Sequence, residues 1–243
     1  EFRRVLFRST LLHTLVSLAK DMRSTFYLRV FRKHLGMYLC GFGAEWLFAS
    51  IFTYFVIFVL QHDPAMVAGL NSLNSILQLI STALFIGLCV KKGFSKPYII
   101  ALCIVIFAVF LYTSLWFFHL PVHLATILMF GITILFGLGT GGVYYIPWTV
   151  YTFLADVDEV YTGRRREGIY AGAMTFSGKI LRSIIVFVMG AILSYYGFQS
   201  KAHVQPESAV NAIAVVFCGG VALLALMAIV FSKQRSEERR VGK

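Results

Sequence analysis

Long apolar runs alternate with short polar links along most of the chain. Each run holds about 20 or more mainly apolar residues, which is long enough for a helix to cross a hydrocarbon layer about 30 Å thick. The six runs lie at residues 36–60, 68–90, 97–118, 124–154, 167–197 and 208–232. This pattern predicts an all-α membrane protein in which residues 36–233 form a six-transmembrane-helix bundle.

Lysine and arginine are unevenly distributed between the links. They cluster before the first run and in the second and fourth links, whereas the first and third links have none and the fifth has only Lys201. Short loops rich in Lys and Arg stay on the cytoplasmic side of a membrane. We therefore expect both ends of the bundle to be cytoplasmic, with residues 10–35 as a basic cytoplasmic linker.

The two ends of the chain differ in character from the rest. Codons for residues 6–9 can be chosen so that their reverse complement encodes residues 235–238. One inverted DNA sequence can thus account for both ends, which resemble translated sequencing adapters; a natural basic tail is the alternative. We predict that residues 1–9 and 235–243 are adapter sequence that does not pack against the bundle, and that the chain is a gene fragment.

Composition supports a membrane location and narrows the classes of function. The chain is 58% hydrophobic and 14% charged, whereas soluble domains carry about 25% charged residues. The sequence displays no metal-like His and Cys spacing, no nucleophile–base pair and no glycine-rich phosphate loop, so we predict neither an enzyme nor a bound metal or cofactor. The formal net charge is +11 for the full chain and +7 without residues 1–9 and 235–243, and it indicates anchoring to a lipid bilayer rather than nucleic-acid binding.

Charged residues inside the predicted spans are candidates for function. Lys179 lies roughly 18 Å along the fifth helix from Glu167, near the bilayer midplane, and Arg182 follows on a neighbouring position of the same face. A charge at that depth costs about 2.5–3.5 kcal/mol, so we expect both cations to face the bundle interior. Glu45 in the first helix is a candidate partner for either one, or a ligand for a proton or cation; a packed, protonated Glu is the alternative.

Two further features mark the second and fourth helices. The second helix carries a stripe of amide side chains, at Asn71, Asn74 and Gln78. This stripe could line a cavity or hydrogen-bond across helices. In the fourth helix, Gly141, Gly142 and Pro147 predict either a hinge or simple close packing, because glycine admits a neighbouring helix and proline removes a backbone hydrogen bond.

Acids and arginines come together around the fourth link. The cluster comprises Asp156, Glu159, Arg164, Arg165, Arg166 and Glu167. Asp156 and Glu159 are three residues apart and share a face if they are helical. The cluster could form ion pairs in one of two conformations and lose them in the other, or it could serve positive-inside anchoring and helix capping.

Two stretches carry a resemblance to a known family. Residues 147–179 read PWTVYTFLADVDEVYTGRRREGIYAGAMTFSGK, and residues 31–55 read FRKHLGMYLCGFGAEWLFASIFTYF. They resemble the tenth-to-eleventh and seventh helix regions of the glycoside-pentoside-hexuronide:cation symporters, a branch of the major facilitator superfamily. The matching features are a proline-containing helix, an acidic helix end, a Thr-Gly-basic turn, the RREG sequence, and Lys179 twelve residues after Glu167.

The resemblance implies a function for the predicted bundle. It covers roughly residues 20–233 and implies the C-terminal half of a twelve-helix transporter, whose N-terminal half is absent. The expected activity is symport of a sugar or glycoside, driven by Na⁺ or H⁺ with Li⁺ as a further candidate, in the bacterial cytoplasmic membrane. Lys179 would belong to the substrate and cation region, and the charged cluster would form a cytoplasmic gate.

Two other readings of the sequence stay open. The chain could belong to a symporter of a different solute in the same superfamily, such as a lysolipid. It could also be a fragment that packs as a six-helix bundle and transports nothing. The DNA sequence that flanks the coding region would show whether the chain is a fragment, because the open reading frame of the whole transporter would encode six more spans upstream.

Overall fold

The described part of the protein is helical. A computed structural model describes residues 16, 24–118, 120–163, 166–200, 202 and 204–241, together with their side chains except at 157, 161, 162 and 236–241. Throughout these ranges the chain forms helices and turns and no strand. The prediction of an all-α protein is confirmed for this part of the chain.

Among the described residues, six helical segments are long and apolar enough to cross a membrane. They are α1 (Arg29–Tyr54, continued by a π-helical turn, Phe55–Val59), α2 (Pro64–Lys92), α3 (Ser95–Phe117), α4 (Val122–Thr162), α5 (Glu167–Tyr195), and a sixth span made of α6 (Glu207–Val215), a π-helical turn (Val216–Gly220) and α7 (Val221–Val241). The predicted number of spans is therefore confirmed.

Three helices are longer than the apolar runs predicted. α1 begins at Arg29 rather than at residue 36, because buried Phe31 and Leu35 continue its apolar face. α4 continues to Thr162, so most of the fourth link is helix rather than loop. The backbone of α7 runs through residues 235–241, and Arg235 lines a cavity with Met37 and Ile146, contrary to the prediction that residues 235–243 do not pack against the bundle. The side chains beyond 235 lie outside the described set, and the adapter assignment stays a prediction.

Local sequence sets the helix boundaries. Asp63 caps the start of α2, where its carboxylate accepts a hydrogen bond from the Ala65 amide at 2.7 Å and Pro64 occupies the first turn. Gly93 ends α2 with φ +72°, and Gly163 ends α4 with φ +65°; side chains at these positions would be strained. The links are therefore short and fixed by named residues.

The six spans form two groups of three helices, and two helices of each group pack on the first helix of the other group. The first group is α1, α2 and α3; the second is α4, α5 and the sixth span. The middle helix of each group packs on the first helix of the other group, since α2 packs on α4 and α5 packs on α1. The third members do the same, since α3 packs on α4 and α7 packs on α1. This reciprocal packing is the pattern expected of two repeated three-helix units, as the resemblance to the major facilitator superfamily implies.

Aromatic side chains fill the centre of the bundle around α1. The Phe48 ring stacks on Phe136 of α4 with centroids 3.8 Å apart. Phe55 stacks on Phe217 of the sixth span at 4.2 Å, so the two π-helical turns contact each other. Offset stacked rings add about 0.5–1.5 kcal/mol to the burial of their area. The core therefore holds α1, α4 and the sixth span together.

Glycines in α4 allow close approach on two sides. A Cβ at Gly137 would lie 2.7 Å from Leu77, and one at Gly141 would lie 2.7 Å from the Thr82 backbone nitrogen, both on α2. A Cβ at Gly142 would lie 2.7 Å from Ala101 on α3. Close packing therefore explains these glycines. The hinge stays a prediction, since α4 is one continuous helix that includes Pro147.

Gly141→Ala is expected to destabilise the bundle by about 1–3 kcal/mol, because the added methyl group meets backbone that cannot rotate away. Gly131→Ala on the same helix is the matched control: nothing lies within 4 Å of its Cβ, and alanine favours helix. The measurement is thermal unfolding in detergent. Equal melting temperatures for the two variants would contradict the packing role of Gly141.

Candidate functional site

The segments that carry Glu45 and Lys179 lie at the same level of the bundle. A Cβ at Gly178 of α5 would lie 2.8 Å from the Tyr38 hydroxyl and 3.0 Å from the Trp46 ring, both on α1. One turn away, a Cβ at Gly43 would lie 3.3 Å from Leu181. α5 is thus pressed against α1 immediately beside its two cations.

α5 has three distinct faces. One is buried against α1, and includes Tyr170, Met174 and Gly178. A second is exposed and apolar: Phe176, Ile180, Ile184 and Phe187. The third is exposed and made of small or polar residues: Gly168, Gly172, Thr175, Lys179, Arg182, Ser183 and Gly190. Lipid chains favour the second face, so the third face is suited to a water-filled cavity or another protein surface.

Lys179 and Arg182 lie on this small and polar face. Both side chains are exposed in the described chain rather than turned into the bundle interior, where the sequence predicted them. Neither one pairs with Glu45 in the described part of the chain, although the sequence made Glu45 a candidate partner. Two unpaired cations near the middle of a span require water, a solute or an acid from elsewhere.

Glu45 lies inside the bundle rather than on the cationic face. Its side chain is 6% exposed, and its Oε1 atom has no hydrogen-bond partner among the described residues. Tyr144 of α4 interacts electrostatically with both Glu45 and Arg182, so the three groups lie in the same region of the bundle. A buried carboxyl without a partner is costly as an anion, so this group is suited to holding a proton or receiving a cation.

The amide stripe of α2 lies on a different side of the molecule. Asn71 is exposed, whereas Asn74 and Gln78 are half-buried. The Asn74 side chain faces Gly137 of α4, and its buried Oδ1 atom has no hydrogen-bond partner within the described ranges. α2 and α5 are the least buried of the six spans, and they pack on opposite partners. The structure therefore does not bring the stripe to Lys179 within this half.

A buried ion pair joins the ends of α4 and α5. Arg166 donates two hydrogen bonds to the Asp158 carboxylate, from Nε at 2.9 Å and from Nη2 at 2.8 Å. The Asp158 side chain is 4% exposed and that of Arg166 is 15% exposed. The same guanidinium donates to the Ser24 hydroxyl at 3.1 Å. The pair thus ties the segment before α1 to the link between α4 and α5.

The charged cluster is organised differently from the sequence prediction. Asp156 and Glu159 are exposed, and the acid that engages Arg166 is Asp158, which was not among the predicted gate residues. A signal for it exists: Asp158 follows buried Ala155 at helical spacing, on the inward face of α4. Arg164 and Arg165 lie outside the described residues, and Glu167 is half-buried in the first turn of α5.

Comparison with known proteins identifies the family. A model of the MFS/sugar transport protein family matches residues 8–232, which is nearly the whole chain. The chain belongs to this family. The MFS/sugar transport family explains the reciprocal packing of two three-helix groups and the six apolar spans. The symporter-family resemblance of the sequence is confirmed, and the chain is a membrane-embedded member of a transporter family.

Two curated relatives are symporters by name. An uncharacterized symporter of Synechocystis sp. is 30% identical over 207 residues, which cover 81% of this chain and 36% of the relative. YagG of Escherichia coli (strain K12), a candidate glycoside/cation symporter, is 32% identical over 120 residues, which cover 49% of this chain and 26% of the relative. The matched part of this chain thus spans about a third of each relative or less.

Proposed function

We propose that this chain is the C-terminal half of a cation-coupled symporter that carries a sugar or glycoside by alternating access. The observation that carries the proposal is the small and polar face of α5, where Lys179 and Arg182 are exposed without an acid. An apolar lipid environment would disfavour these charges, whereas a cavity between two transporter halves would meet them with water, solute or acids. The glycoside named for YagG supports the choice of solute.

The proposed missing partner is an N-terminal six-helix half of the same transporter. α2 and α5 are the least buried spans, and both present polar side chains to the outside of this half. Their exposure on two flanks of the bundle fits a partner that covers both at once. The Asn71, Asn74 and Gln78 stripe would then join Lys179 in one cavity, which this half alone does not enclose.

We propose that the buried acid Glu45 couples the binding of the cation to the transport of the solute. Glu45 is buried in α1, and Tyr144 interacts electrostatically with both Glu45 and Arg182. Binding of H⁺, Na⁺ or Li⁺ at this carboxyl would change its charge, and Arg182 would respond because the two charges interact through a poorly screened interior. This supplies a physical link between the cation and the solute side of α5.

Alternating access is proposed to involve the charged link between α4 and α5. The Asp158–Arg166 pair would hold the basic end of the bundle in one state and separate in the other, with Asp156, Glu159, Arg164, Arg165 and Glu167 around it. The alternation of basic residues between the links supports a cytoplasmic position for this end. We assign the protein to the bacterial cytoplasmic membrane, with both chain ends inside.

Uptake into proteoliposomes tests the proposal. The intact transporter would be supplied with labelled glycosides, free sugars and a lysophospholipid, under an inward Na⁺ gradient, an inward H⁺ gradient or none. We expect a glycoside or sugar to accumulate only under one of the gradients. Accumulation of the lysophospholipid alone would show that the solute is a lysolipid rather than a sugar or glycoside. Equal entry with and without gradients would contradict symport.

Glu45→Gln is expected to abolish accumulation against a gradient while leaving exchange of solute across the membrane measurable. Glutamine keeps the shape of the side chain but cannot take up a proton or neutralise a cation. Glu207→Gln, which removes an exposed acid from the first turn of α6, is the matched control and should accumulate solute normally. Full accumulation by Glu45→Gln would remove Glu45 from coupling.

A further inference from the structure

A cavity separate from the cationic face of α5 opens at the basic end of the bundle. It has a volume of about 290 Å³ and lies where the turn between α2 and α3 meets α7. Met37 of α1 and Ile146 of α4, each 1% exposed, form its inner wall. Lys92 and Lys96 line its exposed side. The cavity therefore combines an apolar interior with a cationic opening.

The turn between α2 and α3 brings the two lysines together. Lys92 is the last residue of α2, Gly93 reverses the chain with φ +72°, and Lys96 lies in the first turn of α3. The Ser95 hydroxyl lies 3.2 Å from the Ser232 hydroxyl of α7, which fixes the turn against the sixth span. Two ammonium groups from consecutive helices thus line one cavity that a third helix closes.

The charge of the cavity is not balanced by nearby acids. Its described lining includes no Asp or Glu, and neither Lys92 nor Lys96 forms an ion pair in the described part of the chain. α3 begins at this cavity, and the partial positive charge at the start of a helix favours an anion. Arg235 also lines the cavity but already interacts with other groups, so the two lysines carry the argument.

We propose that this cavity binds the phosphate of an anionic phospholipid headgroup. Lysines at the basic ends of membrane spans attract anionic headgroups, and a pocket between helices can hold one specifically. The buried Met37 and Ile146 wall favours a phosphate that carries an apolar glycerol portion over free phosphate, which would leave that wall without a partner. The volume admits a headgroup, while the acyl chains would remain in the bilayer.

Lipid retention measured by native mass spectrometry tests the site. The intact transporter in detergent would be titrated with phosphatidylglycerol, with phosphatidylcholine, and with inorganic phosphate. The variants are Lys92→Gln, Lys96→Gln and, as a matched control, Lys91→Gln, which removes an equal charge from the neighbouring exposed position outside the cavity. We expect Lys92→Gln and Lys96→Gln each to weaken phosphatidylglycerol binding about fivefold, and Lys91→Gln to change it much less.

The outcomes separate the sources of the phosphate. Selective loss of phosphatidylglycerol in the two cavity variants supports the lipid site. If inorganic phosphate binds and its binding disappears in the same variants, while phosphatidylglycerol is not preferred over phosphatidylcholine, the lipid proposal is wrong and the cavity is a site for free anions. An equal loss in Lys91→Gln would indicate diffuse attraction to the basic end and overturn the cavity. None of these results depends on whether the protein transports a glycoside.

Discussion

Lys179→Ala is expected to reduce cation-driven solute uptake by the intact transporter by about 5- to 150-fold, the range of a coupling free energy of about 1–3 kcal/mol. The reason is its position: the side chain is exposed beside Gly178, where α5 packs against α1 at the level of Glu45. Removing this charge takes away the cation that the proposed cavity offers to the solute and to acids of the other half. The measurement is the initial uptake rate under the productive gradient.

Two controls separate a transport role from a structural one. Lys91→Ala removes a lysine from an exposed helix end and should leave uptake unchanged. The amount of Lys179→Ala in the membrane should equal that of the wild type, because alanine at an exposed face removes no buried contact. If Lys179→Ala takes up solute at the wild-type rate, Lys179 has no part in the mechanism.

Asp158→Asn is expected to destabilise the protein by about 3 kcal/mol, because it leaves the mostly buried Arg166 guanidinium without its carboxylate. At about 2–4 °C per kcal/mol, the apparent melting temperature in detergent should fall by roughly 6–12 °C. Since Arg166 also donates to Ser24, loss of the pair should loosen the segment before α1. The fall in melting temperature should be accompanied by faster proteolysis of that segment.

Asp156→Asn provides the control for Asp158→Asn, because the side chain of Asp156 is exposed on the same helix end. It should change stability by less than about 0.5 kcal/mol. The double variant Asp158→Asn/Arg166→Gln should be more stable than Asp158→Asn alone, because it no longer buries an unpaired charge. Equal melting temperatures for Asp156→Asn and Asp158→Asn would contradict the buried pair.

The six spans follow directly from the sequence, because a membrane span requires about 20 consecutive apolar residues and leaves an obvious pattern. The ends of helices follow less well. The charged residues of the fourth link remain helical until Gly163, because Asp and Glu do not stop a helix whereas a left-handed glycine does. A prediction from hydropathy alone therefore places the end of α4 too early in the sequence.

The sequence singles out charged residues within the spans but does not predict which of them form pairs. Lys179, Arg182 and Glu45 were identified because charges within apolar runs are rare. The structure buries Glu45 inside the bundle rather than pairing it with Lys179, and it selects Asp158 over Asp156 as the partner of Arg166. Both outcomes depend on how α1, α4 and α5 are rotated against one another, which tertiary packing decides.

Reaction of introduced cysteines with a water-soluble methanethiosulfonate reagent tests the central claim most directly. Lys179→Cys and Phe187→Cys would be made in an intact transporter whose native cysteines are replaced. The two positions lie on the small and polar face and on the apolar face of α5. Lys179→Cys should react rapidly and be protected by solute, while Phe187→Cys should stay unreactive in lipid. Rapid reaction at Phe187→Cys with none at Lys179→Cys would contradict a transport pathway along the cationic face.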